Sequence, residues 1–141
     1  MKWIVMPAML ASLVAFGDKA QAQSVNGCWH FNQGNVFSTV CFTSATGGNF
    51  NLEYALEDPS QGLVKGSCNG TVEITQLADP QFNFRVPRQE AACRQEDQVI
   101  RMAQRDYRCQ RRDFNSLVCI ETVYYDNGQV FSERTGLEYK R

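Results

Sequence analysis

Histidine is nearly absent: His30 is the only one in 141 residues, and no two cysteines form a Cys-x-x-Cys pair. A metal centre built on nitrogen and thiolate ligands therefore has too few donors, so neither a metal nor a cofactor is expected. A Ser-His-Asp arrangement would have to rest on His30 alone, and nothing in the spacing positions partners for it. No repeat or low-complexity segment is present. A strong net charge is missing too, with 14 Lys+Arg against 15 Asp+Glu. No nucleic-acid motif accompanies the arginines, so a nucleic-acid partner is not expected. The one long apolar run, Ile4 to Phe16, is interrupted by Pro7 and Ser12 and ends at Asp18-Lys19. That is short of the roughly 20 residues a membrane helix needs.

What is there begins with that run. Lys2 precedes it and Ala20-Gln21-Ala22 follows, the pattern of a secretory signal with cleavage expected after Ala22. Val25-Asn26-Gly27-Cys28 loosely resembles a lipobox, but the charged pair Asp18-Lys19 separates it from the apolar run. Residues 23–141 are then expected to form one domain, exported to the periplasm or secreted, with no membrane span. All six cysteines (Cys28, Cys41, Cys68, Cys93, Cys109, Cys119) lie in it. An even count in a small exported domain reads as three disulfides.

Periodicity of two dominates from Gly27 onward. Trp29 and Phe31 alternate with Cys28 and His30, and Val40 and Phe42 with Thr39 and Cys41. Phe50, Leu52, Tyr54 and Leu56 alternate with Asn51, Glu53, Ala55 and Glu57. Turns are expected at Gln33-Gly34-Asn35, Ala45 to Gly48, Asp58 to Gly62 and Ala78 to Gln81. Asn127-Gly128 between apolar runs predicts a two-residue type I′ hairpin. Residues 88–112 are ambiguous: a loop or short helix over 88–96 and a strand over 98–110 are expected. The count is about eight short strands in meander order, which closes best into a small antiparallel, all-β barrel without exposed edges.

Hairpin symmetry predicts the bridges. Cys28 and Cys41 flank Gly34, Cys68 and Cys93 bracket Asp79-Pro80, and Cys109 and Cys119 flank Phe114. Directly opposed strand residues bring Cβ atoms near the ~3.5–4.5 Å a disulfide requires. The expected pairs are Cys28–Cys41, Cys68–Cys93 and Cys109–Cys119. Counting back from Asn127-Gly128 turns Tyr124, Thr122, Ile120 and Val118 inward and leaves Cys119, Glu121 and Arg134 outside. Asp106 and Arg108 then point inward with Ile100 and Met102. Asp106, Arg108, Thr122, Tyr124 and Glu133 form the candidate ligand-binding set.

Charge is segregated. Residues 23–84 hold Lys65 against Glu53, Glu57, Asp58, Glu73 and Asp79. Residues 85–112 hold Arg85, Arg88, Arg94, Arg101, Arg105, Arg108, Arg111 and Arg112 against Glu90, Glu96, Asp97 and Asp106. Such a stretch is either an ordinary solvated face or a basic surface for an acidic partner.

Gly27-Cys28-Trp29 resembles the Gly-x-Trp opening of lipocalin-like (calycin) barrels, in which a late arginine, here Arg134 or Arg141, packs on the tryptophan. Small bacterial periplasmic metalloprotease inhibitors share that opening and use the segment before the first strand to plug the protease. The stapled scaffold, the absence of a catalytic constellation and the segregated charge point to an exported, non-enzymatic binding module of the cell envelope, inhibitor-like, with Gln23, Ser24, Val25, Asn26, Arg101 and Arg105 as candidate contacts to a protein partner. Two alternatives stand beside it: a carrier of a small amphipathic ligand inside the barrel, and a structural component of an envelope complex.

Overall fold

The computed structural model describes residues 25–141; the expected leader, its cleavage point, Gln23 and Ser24 lie outside the described residues. Ten strands follow in order: β1 (Gly27–Gln33), β2 (Val36–Phe42), β3 (Gly47–Asp58), β4 (Gly62–Ala78), β5 (Gln81–Val86), β6 (Gln89–Gln95), β7 (Gln98–Met102), β8 (Arg105–Asp113), β9 (Ser116–Tyr124) and β10 (Val130–Lys140). They act as eight. β5 and β6 are successive halves of one stave along β4, through Ile74↔Phe84 and Cys68↔Cys93. β7 and β8 form the next stave, through Cys93↔Ile100 and Phe84↔Tyr107. Pairing of β3 with β4, and of His30 with Lys140 between β1 and β10, closes an all-antiparallel barrel.

Because strand direction alternates, the turns sort to two ends. Those at 43–46, 79–80 and 114–115 gather at one end, and those at 34–35, 59–61, 96–97 and 125–129 at the other. The first end is filled. Trp29 is wholly buried there and donates its indole N–H to Val25 O at 3.0 Å. Above it Phe42 meets Phe82 and Phe84 edge-on, and Phe84 stacks on Tyr107 with centroids 4.5 Å apart. Each buried phenylalanine contributes about 2–3 kcal/mol. The second end is hollow.

All three expected disulfides are present. Trp29 faces Val40 and Phe31 faces Ser38, as the symmetry about Gly34 predicts. The expected loop or short helix over 88–96 is instead strand β6. Its helix-favouring residues are overridden by the Cys68–Cys93 tie and by pairing on both sides, to Gly66–Cys68 of β4 and to β7. Tertiary context outweighs propensity here. The Asn127-Gly128 turn is not the two-residue type I′ either. Tyr125 and Gln129 close the loop (N···O 2.8 Å), Gly128 alone takes a positive φ of 86°, and Asn127 Oδ1 accepts from Gln129 N. This is the three-residue form with glycine in the left-handed position.

The extra residue is offset by a slip just beyond the turn, but two further irregularities reverse the expected faces. The ladder slips between Val130 and Ser132, and again between Arg134 and Leu137, where Gly136 adopts φ 70°. Between β7 and β8, Ala103 and Gln104 fall outside the strands, so Ile100 and Met102 point inward on even numbers while Tyr107 and Cys109 do so on odd ones. A one-residue slip moves every later side chain to the other face. Cys119, Glu121 and Arg134 are therefore on the inner side, and Asp106, Arg108 and Glu133 on the outer one.

Candidate functional site

Beneath the open end the barrel encloses a cavity of about 1120 Å³. Alternation along β2 and β3 supplies one wall: Val40, Phe50, Leu52 and Tyr54 project inward from every second position. Cys68–Cys93 crosses the next wall, and Ile100 and Met102 continue it. Tyr54 lies over Gly66, where any Cβ would collide with its ring, and donates its hydroxyl to Gln95 Oε1 at 2.7 Å. Tyr107 and Tyr139 form the floor above the packed phenylalanines. The volume slightly exceeds the ~300–1,000 Å³ typical of small-ligand sites, and the lining is mostly apolar.

One polar cluster interrupts that lining. Glu121, 3% exposed, projects inward from β9. Its Oε2 accepts from Tyr107 OH at 2.6 Å, and its Oε1 from Arg134 Nε at 2.9 Å, with Arg134 Nη2 at 2.8 Å. Arg105 Nη1 lies 3.6 Å from Oε2, and Arg105 Nε is buried with no hydrogen-bond partner. A buried carboxylate needs this compensation. Burial, reinforced by Tyr139 and Glu121, raises the Tyr107 hydroxyl well above its ordinary value. Burial likewise pushes Tyr139 up to about 12. Both phenols stay protonated at neutral pH, and Tyr107 is the donor to Glu121. At the mouth, Arg101 pairs with Asp126 at 2.6 Å, and Tyr125 and Phe131 meet edge-on at 5.0 Å while more than half exposed.

The five residues expected to line the interior do come together, but outside the barrel. Asp106 receives Arg85 Nε at 2.7 Å and Nη2 at 3.3 Å, and accepts from Tyr124 OH at 3.3 Å. Thr122 pairs with both Asp106 and Glu133 in the ladder, and Arg108 reaches Glu133 at 3.9 Å. Only Tyr124 also borders the cavity. The expected Glu121–Arg134 pair exists, but the carboxylate is buried instead of exposed. Its location was readable from one premise: Glu121 shares a face with Cys119, and the Cys109–Cys119 bridge is buried in the core.

Of the residues expected to meet a protein partner, Val25 is buried in the closed end and Asn26 O accepts from Arg141 Nη1 at 2.9 Å. These two do not form a free arm. Arg101 and Arg105 border the cavity. Six of the eight arginines in 85–112 have carboxylate partners: Arg85 with Asp106, Arg88 with Glu90, Arg101 with Asp126, Arg105 with Glu121, Arg108 with Glu133 and Arg111 with Asp79. Much of the basic stretch is thus neutralised locally.

No family model matches the chain, and neither a curated protein nor a solved structure matches it. The fold stands on its own description: a closed, eight-stave antiparallel β-barrel tied by three disulfides.

Proposed function

We propose that this protein is an exported binding protein that holds a small amphipathic molecule inside the barrel. The observation that carries the reading is the cavity of about 1120 Å³, apolar on most of its wall, open at one end and furnished with a single buried polar cluster. A small domain that needs only stability gains by filling its interior, because voids cost packing energy. This barrel packs one half densely and leaves the other hollow. Three disulfides support export, since such bonds persist in oxidising compartments.

The neutral probe N-phenyl-1-naphthylamine, bright only in apolar surroundings, tests the reading directly. Saturable binding of one molecule per chain is expected. Filling the cavity with Leu52→Trp or Ile100→Trp is expected to weaken it by about tenfold while the circular dichroism stays native. Absence of saturable binding, or binding indifferent to both substitutions in folded protein, overturns the proposal.

A second reading, a protein-binding module of the inhibitor type resembling a lipocalin-like barrel, is supported by the exposed rim of Tyr125, Val130 and Phe131. Exposed aromatic clusters of this kind recur at recognition surfaces. Pulldown from cell-envelope extract that is unchanged by Tyr125→Ser with Phe131→Ser removes that support.

A further inference from the structure

Resting on the cavity reading, we infer that the ligand is an amphipathic anion whose charged group seats against Arg105. The charge count inside the cavity leads there. Its lining holds three arginines, Arg101, Arg105 and Arg134, against two carboxylates, Glu121 and Asp126. Asp126 is occupied by Arg101 at 2.6 Å and faces Arg88 at 3.8 Å from outside the lining. Glu121 is occupied by Arg134 and by the Tyr107 hydroxyl. Arg105 has only a share of Glu121, which Arg134 holds more closely. It touches Glu121 only at 3.6 Å, beyond hydrogen-bond range, and its Nε–H is shielded from water without any acceptor.

The rest of the guanidinium borders the chamber, its side chain 27% exposed, and only an anionic partner there cancels the excess positive charge. A charge-assisted hydrogen bond to guanidinium is about twice as strong as a neutral one. A neutral polar head satisfies the hydrogen bond alone; a cationic head meets repulsion. Val40, Phe50, Leu52, Ile100 and Met102 then receive the apolar remainder. Carboxylates and phosphate monoesters share this chemistry.

Competition against bound N-phenyl-1-naphthylamine separates the classes, using dodecanoate, dodecyl phosphate, dodecanol and dodecyltrimethylammonium, each below its micelle concentration. At least one of the two anions is expected to displace the probe at about a tenfold lower concentration than the alcohol, with the ammonium weakest. Comparing the two anions identifies which head group the site prefers. Arg105→Gln is expected to reduce that anion to the alcohol's level, read as the ratio of the two displacement concentrations in the same folded variant. Arg105→Lys, which keeps the charge, is expected to retain most of the preference, and serves if the glutamine variant folds poorly. An alcohol equal to both anions, or a preference unchanged in folded Arg105→Gln, overturns the inference and leaves the cavity reading intact. Failure of the neutral probe to bind at all overturns both.

Discussion

The guanidinium of Arg141 lies over the ring of Trp29, 4.4 Å from its centroid, and at the same distance from the centroid of the Phe114 ring. The two rings come from β1 and the β8–β9 turn, and the cation between them seals the closed end of the barrel. Arg141 Nη1 also ties Asn26 O, while its Nε and Nη2 are buried without acceptors. Burial, together with the nearby positive charge of Arg111, lowers the Arg141 pKa from its usual value.

Arg141→Ala is therefore expected to destabilise the barrel by about 2 kcal/mol, the worth of a desolvated cation–π contact. Arg141→Lys is expected to recover only part of that loss, because an ammonium cannot stack in the plane between two rings. Urea unfolding followed by Trp29 fluorescence measures both. Equal midpoints for the alanine variant and the parent protein contradict the sealing role.

Glu121 is expected to be the most sensitive charged position. Glu121→Ala leaves Arg134 and Arg105 without their buried counter-ion and Tyr107 without an acceptor, which costs on the order of 3 kcal/mol. Arg85→Ala, which breaks the Asp106 fork on the outer wall, is expected to cost about 1 kcal/mol or less, as exposed pairs do. Thermal unfolding of the two variants side by side checks the ranking, and the reverse order is the outcome that sinks it.

The sequence disclosed more of the fold than of the site, and the reason lies in how registers accumulate. Cysteine symmetry about Gly34 and Phe114 is local, so the bridges and the Trp29–Val40 pairing followed from counting across short turns. Face assignment is cumulative. The left-handed glycine at Gly136 and the break at Ala103-Gln104 were each enough to invert everything beyond them, while the extension at Gly128 was offset within the next strand. None of the three has a signal in hydrophobic alternation, because Arg105, Asp106, Glu121 and Thr122 are polar on both faces. The pairings Thr122↔Glu133 and Glu121↔Arg134 came out as expected only because the loop extension and the slip at Val130/Ser132 cancel in register. The cavity had no sequence signal at all. An inward tyrosine reads alike whether it fills a core or lines a chamber.

Alkaline pH is expected to loosen the barrel through its floor. Tyr139 titrates at about 12 in the folded protein because it is buried and stands near Glu121, against about 10 when unfolded. The folded state thus holds a proton the unfolded state releases. Stability is fully present below pH ~10 and falls as pH rises toward ~12, by up to about 3 kcal/mol at ~1.4 kcal/mol per unit. Tyr139→Phe removes the titrating group, so its stability is expected to decline less steeply over that window. Rapid-mixing urea unfolding at a series of pH values, completed before alkali attacks the disulfides, gives the two slopes. Identical slopes remove Tyr139 from the account.

Selective reduction is expected to follow burial. Cys28 is exposed and Cys41 half-buried on the outer wall, whereas Cys68, Cys93, Cys109 and Cys119 are all buried inside. Thiol–disulfide exchange requires in-line access of a thiolate to sulfur, so dithiothreitol under native conditions should open Cys28–Cys41 alone, and the inner two bridges only after global unfolding. Opening it leaves the β1–β2 ladder from Gly27↔Phe42 to Gln33↔Val36 to hold the hairpin. The loss is expected near the low end of the ~2–4 kcal/mol of a short-loop disulfide, and the chamber, lined by Cys68–Cys93 and remote from this bridge along β1, should keep its probe. Alkylation with mass mapping after brief reduction identifies the opened pair, and N-phenyl-1-naphthylamine titration of the same sample reports the chamber. Labelling that appears first at Cys109 and Cys119 would mean that the barrel breathes through its closed end, contrary to the packing of Trp29, Arg141 and Phe114.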